Sequence, residues 1–335
     1  MKLAYLLEDS SIAGGTRVVV AHADILTELG HDVTLVSKGD PPAWRRSVAK
    51  WTRVEAMDAF DASTFDFVVG TFWTTLAAAH KVAGARAIHF CQGYEGGFTA
   101  YQSQKADIDR AYSLPLPKIT VSPHLVEVCR PFSDDATYVG QIVDGEFFQP
   151  RRRESSPLRV LLVGPMQADF KGIEFGYEAV RHAAGHDLQL IRASQWEPAT
   201  GEPAELAAEF HVGIDTAAMA RLVGSCDLFL APSLEEEGFG LPAAEAMASG
   251  LPGVMSSIPS FRSWDRVRDC ALFAPPRDGR AMGEALVRLL SDASLRERLS
   301  RRGRQVVEQF RAEQTGRRLE QYFASRLKPR SGDRT

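Results

Sequence analysis

The chain has 335 residues, 44% of them hydrophobic and 24% charged, with 27 glycines, 18 prolines and a net charge of −4. Those are the values of a globular protein of about two domains, and they exclude disordered, collagen-like and coiled-coil classes. No apolar run approaches the roughly 18 residues of a membrane-spanning helix, and Glu8 and Asp9 interrupt the N-terminus too early for a signal peptide, so a soluble, cytoplasmic chain is expected.

Short apolar runs predict strands at 3–7, 32–36, 67–69, 87–90, 118–121, 136–139, 159–163, 188–192, 228–231, 252–255 and 271–273. Between the first two, Val18, Val19, Ala21, His22, Ile25, Leu26 and Leu29 recur at helical spacing, with Thr16 as the expected cap and Gly30 as the stop. Strand–helix alternation with short turns predicts an α/β protein of parallel sheets covered on both faces. The polar stretch 149–157 (QPRRRESSP) has no period, and a second alternation begins right after it. The predicted organisation is therefore a first doubly wound domain over 1–148, a linker over 149–157 and a second such domain from 158 onward. Ligands of such sheets sit beyond the carboxyl ends of the strands. The loops at 10–15, 91–98, 164–172 and 233–241 are thus expected to face one central cleft.

The excluded chemistries narrow the choice. Neither domain carries G-x-G-x-x-G after its first strand, and G-x-x-x-x-G-K-[ST] is absent, against a nicotinamide dehydrogenase and a P-loop NTPase. Cys91, Cys129, Cys226 and Cys270 form no C-x-x-C pair, which argues against zinc ribbons, redox dithiols and a disulfide scaffold and predicts four buried thiols. Residues 296–335 hold twelve Lys/Arg against five Asp/Glu, leaving −11 for the remainder. Nucleic-acid binding is not expected from that balance. The basic segment reads either as a solvated helix face or as a peripheral contact with an anionic membrane.

The densest constellation is 231–250, APSLEEEGFGLPAAEAMASG. Pro242 suits a first helical turn and Gly250 the position just past a helix end. Glu237 then lies in the loop before a helix and Glu245 within its first turns. The Gly-Phe-Gly between them can aim backbone N–H groups at a phosphate. Carboxylates beside an anion site make sense when they receive the hydroxyls of the same ligand, as in a nucleotide diphosphate sugar. The structural alternative is a helix-capping pattern.

Glu237-Gly-Phe-Gly-Leu-Pro-x-x-Glu245-Ala-Met-Ala-x-Gly250 resembles the E-x7-E signature of retaining glycosyltransferases of the GT-B fold, the GT4 group. Weaker matches are Gly14-Gly15, the segment Gln141–Pro150, and Asp169-Phe-Lys-Gly172. The resemblance implies two Rossmann-like domains facing a cleft, an acceptor-side domain first and a nucleotide-sugar domain over 158–309. The segment 310–335 would hold a last helix that crosses back to the first domain. It further implies a metal-independent transferase with no cofactor, moving a hexose or deoxyhexose from a nucleotide sugar to a glycan, lipid-linked or small-molecule acceptor.

The implied roles follow residue by residue. Glu245 would take the ribose hydroxyls, and Glu237 a hydroxyl of the donor sugar, with the Phe239 and Gly240 amides and Leu241 beside it. Lys171 would neutralise the diphosphate, with the Gly14 and Gly15 amides approaching it from the first domain. His89 reads either as a neighbour of the donor sugar or as a core histidine. His124 reads as a core residue, and His182 and His186 lack a third metal ligand. Asp107-Ile-Asp109 spells the D-x-D metal motif but lies in a helical stretch, so no metal site is assigned. The pattern departs from the family at Pro165 and Met166, where an arginine for the diphosphate is usual; Arg192 is the first substitute and Arg17 the second. That gap keeps open a nucleotide-sugar-binding protein with decayed catalysis. A nucleotide-sugar epimerase or hydrolase on the same fold is the remaining alternative.

Overall fold

A computed structural model describes residues 1–8, 10, 14–149, 156–265 and 268–327; most of the 149–157 linker and the last basic residues lie outside that range. Among the described residues all strands pair in parallel, in two sheets. The first sheet takes β1 (Lys2–Leu7), β2 (Asp32–Ser37), β3 (Lys50–Arg53), β4 (Phe67–Gly70), β5 (Ala87–Cys91), β6 (Lys118–Thr120) and β7 (Ala136–Tyr138). Its helices are α1 (Gly14–Glu28), α2 (Trp73–Ala83), α3 (Lys105–Tyr112) and α4 (Pro123–Cys129). The second sheet takes β8 (Leu158–Val163), β9 (Leu188–Ser194), β10 (Ala207–Val212), β11 (Leu228–Ala231), β12 (Gly253–Ser256) and β13 (Leu272–Ala274). Its helices are α5 (Ile173–His182), α6 (Thr216–Gly224), α7 (Leu241–Ala248), α8 (Pro259–Arg262), α9 (Gly279–Ser291) and α10 (Ala293–Val307), and α11 (Ala312–Arg326) follows.

The strand orders are β3-β2-β1-β4-β5-β6-β7 and β10-β9-β8-β11-β12-β13. In each sheet the order of strands reverses once, between β1 and β4 and between β8 and β11. Loops diverge at such a switch point and leave a crevice. Leu6 pairs with both Val36 and Gly70, and Leu230 with both Leu162 and Val254, so these central strands are buried on both faces. That is why they read as continuous apolar runs.

Two strands carry no such run. β3 (KWTR) and β10 (AAEFHV) are edge strands, half-buried or exposed along most of their length, and polar residues suffice there. Neither is marked by an apolar run, so neither is among the predicted strands. Thr16 is the expected cap of α1, whereas the helix already runs from Gly14. Gly30 ends that helix with φ +88°, as expected of the residue past its end. All four cysteines are buried free thiols.

The last helix returns to the first sheet. Gly316 meets α1 so closely that a Cβ there would lie 2.7 Å from Ile25 Cγ1. Thr315 Oγ1 donates to the Gln141 carbonyl at 2.8 Å, Arg318 Nε donates to the Val139 carbonyl at 2.9 Å, and Arg326 pairs with Asp135. Phe323 packs on Phe67 with ring centroids 5.4 Å apart. Among the described residues no helix is long and apolar enough to cross a membrane.

Candidate functional site: a cleft between the two sheets

A cleft of about 450 Å³ opens where the two switch points face each other. The first-domain wall holds Gly14, Gly15 and Arg17 of α1, Thr71 after β4, and Gln92, Gly93 and Glu95 after β5. The second-domain wall holds Gly164–Lys171 residues after β8, Ser194–Trp196 after β9, and Glu237–Leu241 with Glu245. All four loops expected at the cleft contribute to its lining.

The β11–α7 segment folds for local reasons. Gly240 has φ +90°, and a Cβ there would sit 2.0 Å from Phe261 Cε1, so only glycine fits before α7. Pro242 lies in the first turn. At the other end Gly250 N donates to Met247 O and Leu251 N to Ala246 O, closing a Schellman motif on Gly250 with φ +84°. The Phe239 ring turns inward against Trp264 and Phe310, with centroids 5.0 and 4.9 Å away. This aromatic floor fixes the loop while its backbone faces the cleft.

Each carboxylate of the E-x7-E segment is held by one cation. Glu237 Oε2 accepts from Lys171 Nζ at 2.7 Å and from Ser233 Oγ at 3.1 Å, and Oε1 accepts from the Gly240 amide at 3.1 Å. Glu245, 1% exposed, accepts from Arg17 Nη2 at 2.7 Å, a bond that joins residues 228 apart. Burial pushes the Glu245 carboxyl up and Arg17 opposes that. Burial also works against the Arg17 charge, yet Glu245 and Asp144 together raise its pKa. Arg17 reaches Asp144 at 3.2 Å, and Arg45 ties Asp144 to Asp24.

The two walls also touch. The Phe98 and Phe170 rings stack across the cleft with centroids 4.7 Å apart. Ser122 Oγ donates to the Gly238 carbonyl at 2.8 Å. Gly238 lies against Gln92 so tightly that a Cβ would come 2.0 Å from the Gln92 carbonyl oxygen.

Several sequence-based placements need correcting. Arg192 is fully buried and does not line the cleft. Its guanidinium donates to the Leu162 and Gly164 carbonyls at 2.7 and 2.9 Å and pairs with Glu202 at 2.7 Å. It therefore props the β8 loop from behind, because it lies within β9 rather than beyond its end. Arg17, the second choice, is the arginine at the cleft. His89 is likewise interior, 1% exposed, edge-on to Tyr112 at 4.6 Å, and burial with Lys118 nearby pushes its pKa well down. The residue that leaves β5 into the cleft is Gln92, whose Oε1 is buried without a partner. A polar residue one step past an apolar strand was the available signal. Gly240 lines the cleft, but its amide is already bonded to Glu237. Gly14, Gly15, Phe239, Leu241 and Lys171 stand on the cleft wall.

His124 is in α4, with its pKa lowered by burial, and His182 ends α5. Asp107 and Asp109 are on α3, paired with Arg110 and Lys105. Among the described residues no three of His, Cys, Asp and Glu gather where they could hold a metal ion.

Glu95 was not foreseen. Its carboxyl, 8% exposed, has its pKa pushed up to about 7 by burial, against an opposing hydrogen bond from Tyr112 at 2.5 Å. A carboxyl raised from 4.5 to about 7 in the folded chain stabilises most below pH 4.5. That contribution is lost as pH rises through 7. Glu95→Gln is therefore expected to gain on the parent protein between pH 5 and 8, by up to about 3 kcal/mol. Melting curves at the two pH values check it, and an equal offset at both would contradict the shift.

Comparisons with known proteins agree with this geometry. Residues 157–292 match the family model described as "Glycosyl transferases group 1". Over 181 residues, half of this chain and 43% of the relative, the sequence is 33% identical to an MMP alpha-(1->4)-mannosyltransferase of Mycolicibacterium hassiacum. Over 97 residues, 29% of this chain and 26% of the relative, it is 36% identical to a phosphatidyl-myo-inositol mannosyltransferase of Mycobacterium leprae. The matched stretches thus span less than half of these relatives' lengths. Among solved structures, sucrose-phosphate synthase from Thermosynechococcus elongatus superposes with a TM-score of 0.82 over 97% of this chain and 98% of that one, at 18% identity. HepE of Anabaena in complex with UDP-glucose gives 0.77 over 97% and 100%, at 12% identity. Residues 157–292 thus match the group 1 glycosyl transferases, and the two parallel sheets have the GT-B fold of these solved glycosyltransferases.

Proposed function

We propose that the protein is a retaining glycosyltransferase that moves a hexosyl or deoxyhexosyl group from a nucleotide diphosphate sugar to a hydroxyl of a glycan, lipid-linked or small-molecule acceptor. The observation that carries this reading is the pairing at the cleft, where Glu237 and Glu245 are each held by one cation, Lys171 and Arg17. Residues 1–148 form the acceptor side in this reading and 158–309 the donor side, with 149–157 as hinge. The relatives' names make mannose the first sugar to test and a lipid-linked or phosphorylated glycan the first acceptor. Peripheral membrane contact through the basic C-terminal segment, at the cytoplasmic face, belongs to the same reading.

In this mechanism Lys171 leaves Glu237 for the diphosphate, and Glu237 receives a sugar hydroxyl. Glu245 receives the ribose hydroxyls, and Arg17 is freed toward the phosphates. The anomeric C–O bond to phosphate breaks, and the acceptor oxygen bonds the same face of that carbon. The acceptor's proton passes to the departing phosphate oxygen. Catalysis is then charge stabilisation and positioning, with the two cations doing the work without a metal.

Melting the protein against UDP, GDP, dTDP and ADP, with and without EDTA, tests the donor site. A ligand at 100 times its Kd stabilises by about 2.7 kcal/mol. One nucleotide is expected to shift the melt in EDTA, and Lys171→Met is expected to weaken its binding at least tenfold. No shift with any nucleotide overturns the reading. The missing arginine at Pro165 and Met166 favours a second reading, a binding protein without turnover. A nucleotide shift without any consumption of the nucleotide sugar would select it.

A further inference from the structure

The donor reading uses Gly14, Gly15 and Arg17 of the first-domain wall and leaves its other polar side chains without a task. Among the described residues, its polar side chains are Arg17, Thr71, Gln92, Glu95 and Gln141. Three of them are engaged: Arg17 with Glu245 and Asp144, Thr71 Oγ1 with the Leu6 carbonyl, and Gln141 Oε1 with the Ile142 amide. Gln92 and Glu95 keep acceptor capacity to spare. Gln92 uses its amide nitrogen on the Thr71 carbonyl at 3.4 Å and leaves Oε1 buried without a partner. Burying an acceptor unpaired is unfavourable, so an incoming donor is favoured there.

Glu95 has a partner in its own backbone N–H and a second in Tyr112. Its one bond among the described side chains is to the Tyr112 hydroxyl, which also lies 2.6 Å from the Gly93 carbonyl and carries a single hydrogen for both. Among the described residues no cation faces Glu95, in contrast to Glu237 and Glu245. A buried carboxyl kept free of cations and facing a cleft suits neutral hydroxyl donors rather than a phosphate. Both residues leave the same strand end, three positions apart, opposite the loop that holds Glu237.

We propose that Gln92 and Glu95 form the acceptor subsite and that it takes a ligand with adjacent hydroxyls, a sugar or a cyclic polyol, rather than an isolated alcohol. The assignment rests on the transferase reading, which supplies the donor on the opposite wall. Glu95 receives one or two hydroxyls and Gln92 Oε1 receives a neighbouring one, so that a single ring satisfies both.

The test is saturation-transfer NMR on the full chain loaded with the nucleotide diphosphate that shifts its melting. The probes are myo-inositol and methyl α-mannopyranoside, with cyclohexanol as the single-hydroxyl control. At least one of the two polyols is expected to receive saturation, and cyclohexanol none. Glu95→Gln and Gln92→Ala are each expected to weaken polyol binding at least tenfold, with nucleotide binding unchanged. Gln92→Ala, in the loop after β5, is the second, independent variant. Saturation of neither polyol, equal saturation of cyclohexanol, or polyol binding unaffected by both substitutions overturns the subsite. A parent protein that binds no nucleotide overturns the transferase reading instead, and the subsite with it.

Discussion

Arg17→Ala is expected to destabilise the protein by about 3 kcal/mol, and most of that loss should disappear when Glu245→Ala is added. Removing one partner of a buried pair leaves the other charge in low dielectric, which costs about 3–5 kcal/mol, while removing both costs far less. Glu245 is the deeper member, 1% exposed, and its other charged neighbours do not replace Arg17: Asp144 repels it, and Lys171 is bonded to Glu237. The double-mutant cycle, read from denaturant or thermal unfolding at pH 7.5, is expected to show strong coupling across residues 228 apart in sequence. Additive losses would mean that the pair does not hold the two domains together. Arg17 bridges Glu245 and Asp144 with one nitrogen of its planar group, so Arg17→Lys, which keeps the charge but loses that fork, is expected to recover stability only in part.

Gly238→Ala is expected to abolish turnover of a nucleotide sugar, by a hundredfold or more, while each domain stays folded. A Cβ at this position would lie 2.0 Å from the Gln92 carbonyl oxygen and 3.2 Å from the Gly93 Cα, all backbone atoms that cannot rotate away. The contact joins the two walls, so relief comes by opening the cleft, and water then enters the site. The Ser122 bond to the Gly238 carbonyl and the Phe98–Phe170 stack are lost with it. Small-angle scattering is expected to show an expanded particle with little change in circular dichroism. Full activity in Gly238→Ala would show that the closed contact plays no part in turnover.

The central strands were legible because burial on both faces demands unbroken apolar runs, as in β8 (LRVLLV) and β11 (LFLA). The edge strands β3 and β10 were not, because one open edge and partial exposure admit lysine, arginine, glutamate and histidine. The helix start at Leu241–Pro242 and its end at Gly250 were legible, since glycine and proline constrain the backbone wherever they occur.

Charge and polarity were harder to place. Arg192 and His89 sit at or near strand ends in the sequence, and a shift of one or two residues decides whether a side chain enters the cleft or the core. The longer β9, which runs to Ser194, took Arg192 inside, and β5, which runs to Cys91, handed the cleft to Gln92. Where a strand ends depends on its pairing partners, and those are distant in sequence.

The sequence by itself determined the alternating α/β architecture, the polar break near 149–157, and the loop that carries Glu237 and Glu245, because local backbone and burial rules specify each of them. Only the tertiary structure decided the company those carboxylates keep. Lys171 reaches Glu237 across 66 residues and Arg17 reaches Glu245 across 228, while Glu95 meets the Tyr112 phenol and, among the described residues, no cation. The physical reason is range: hydrophobic periodicity acts within a helix or a strand. An ion pair or an uncompensated carboxyl is set by which walls two separately folded sheets turn toward each other.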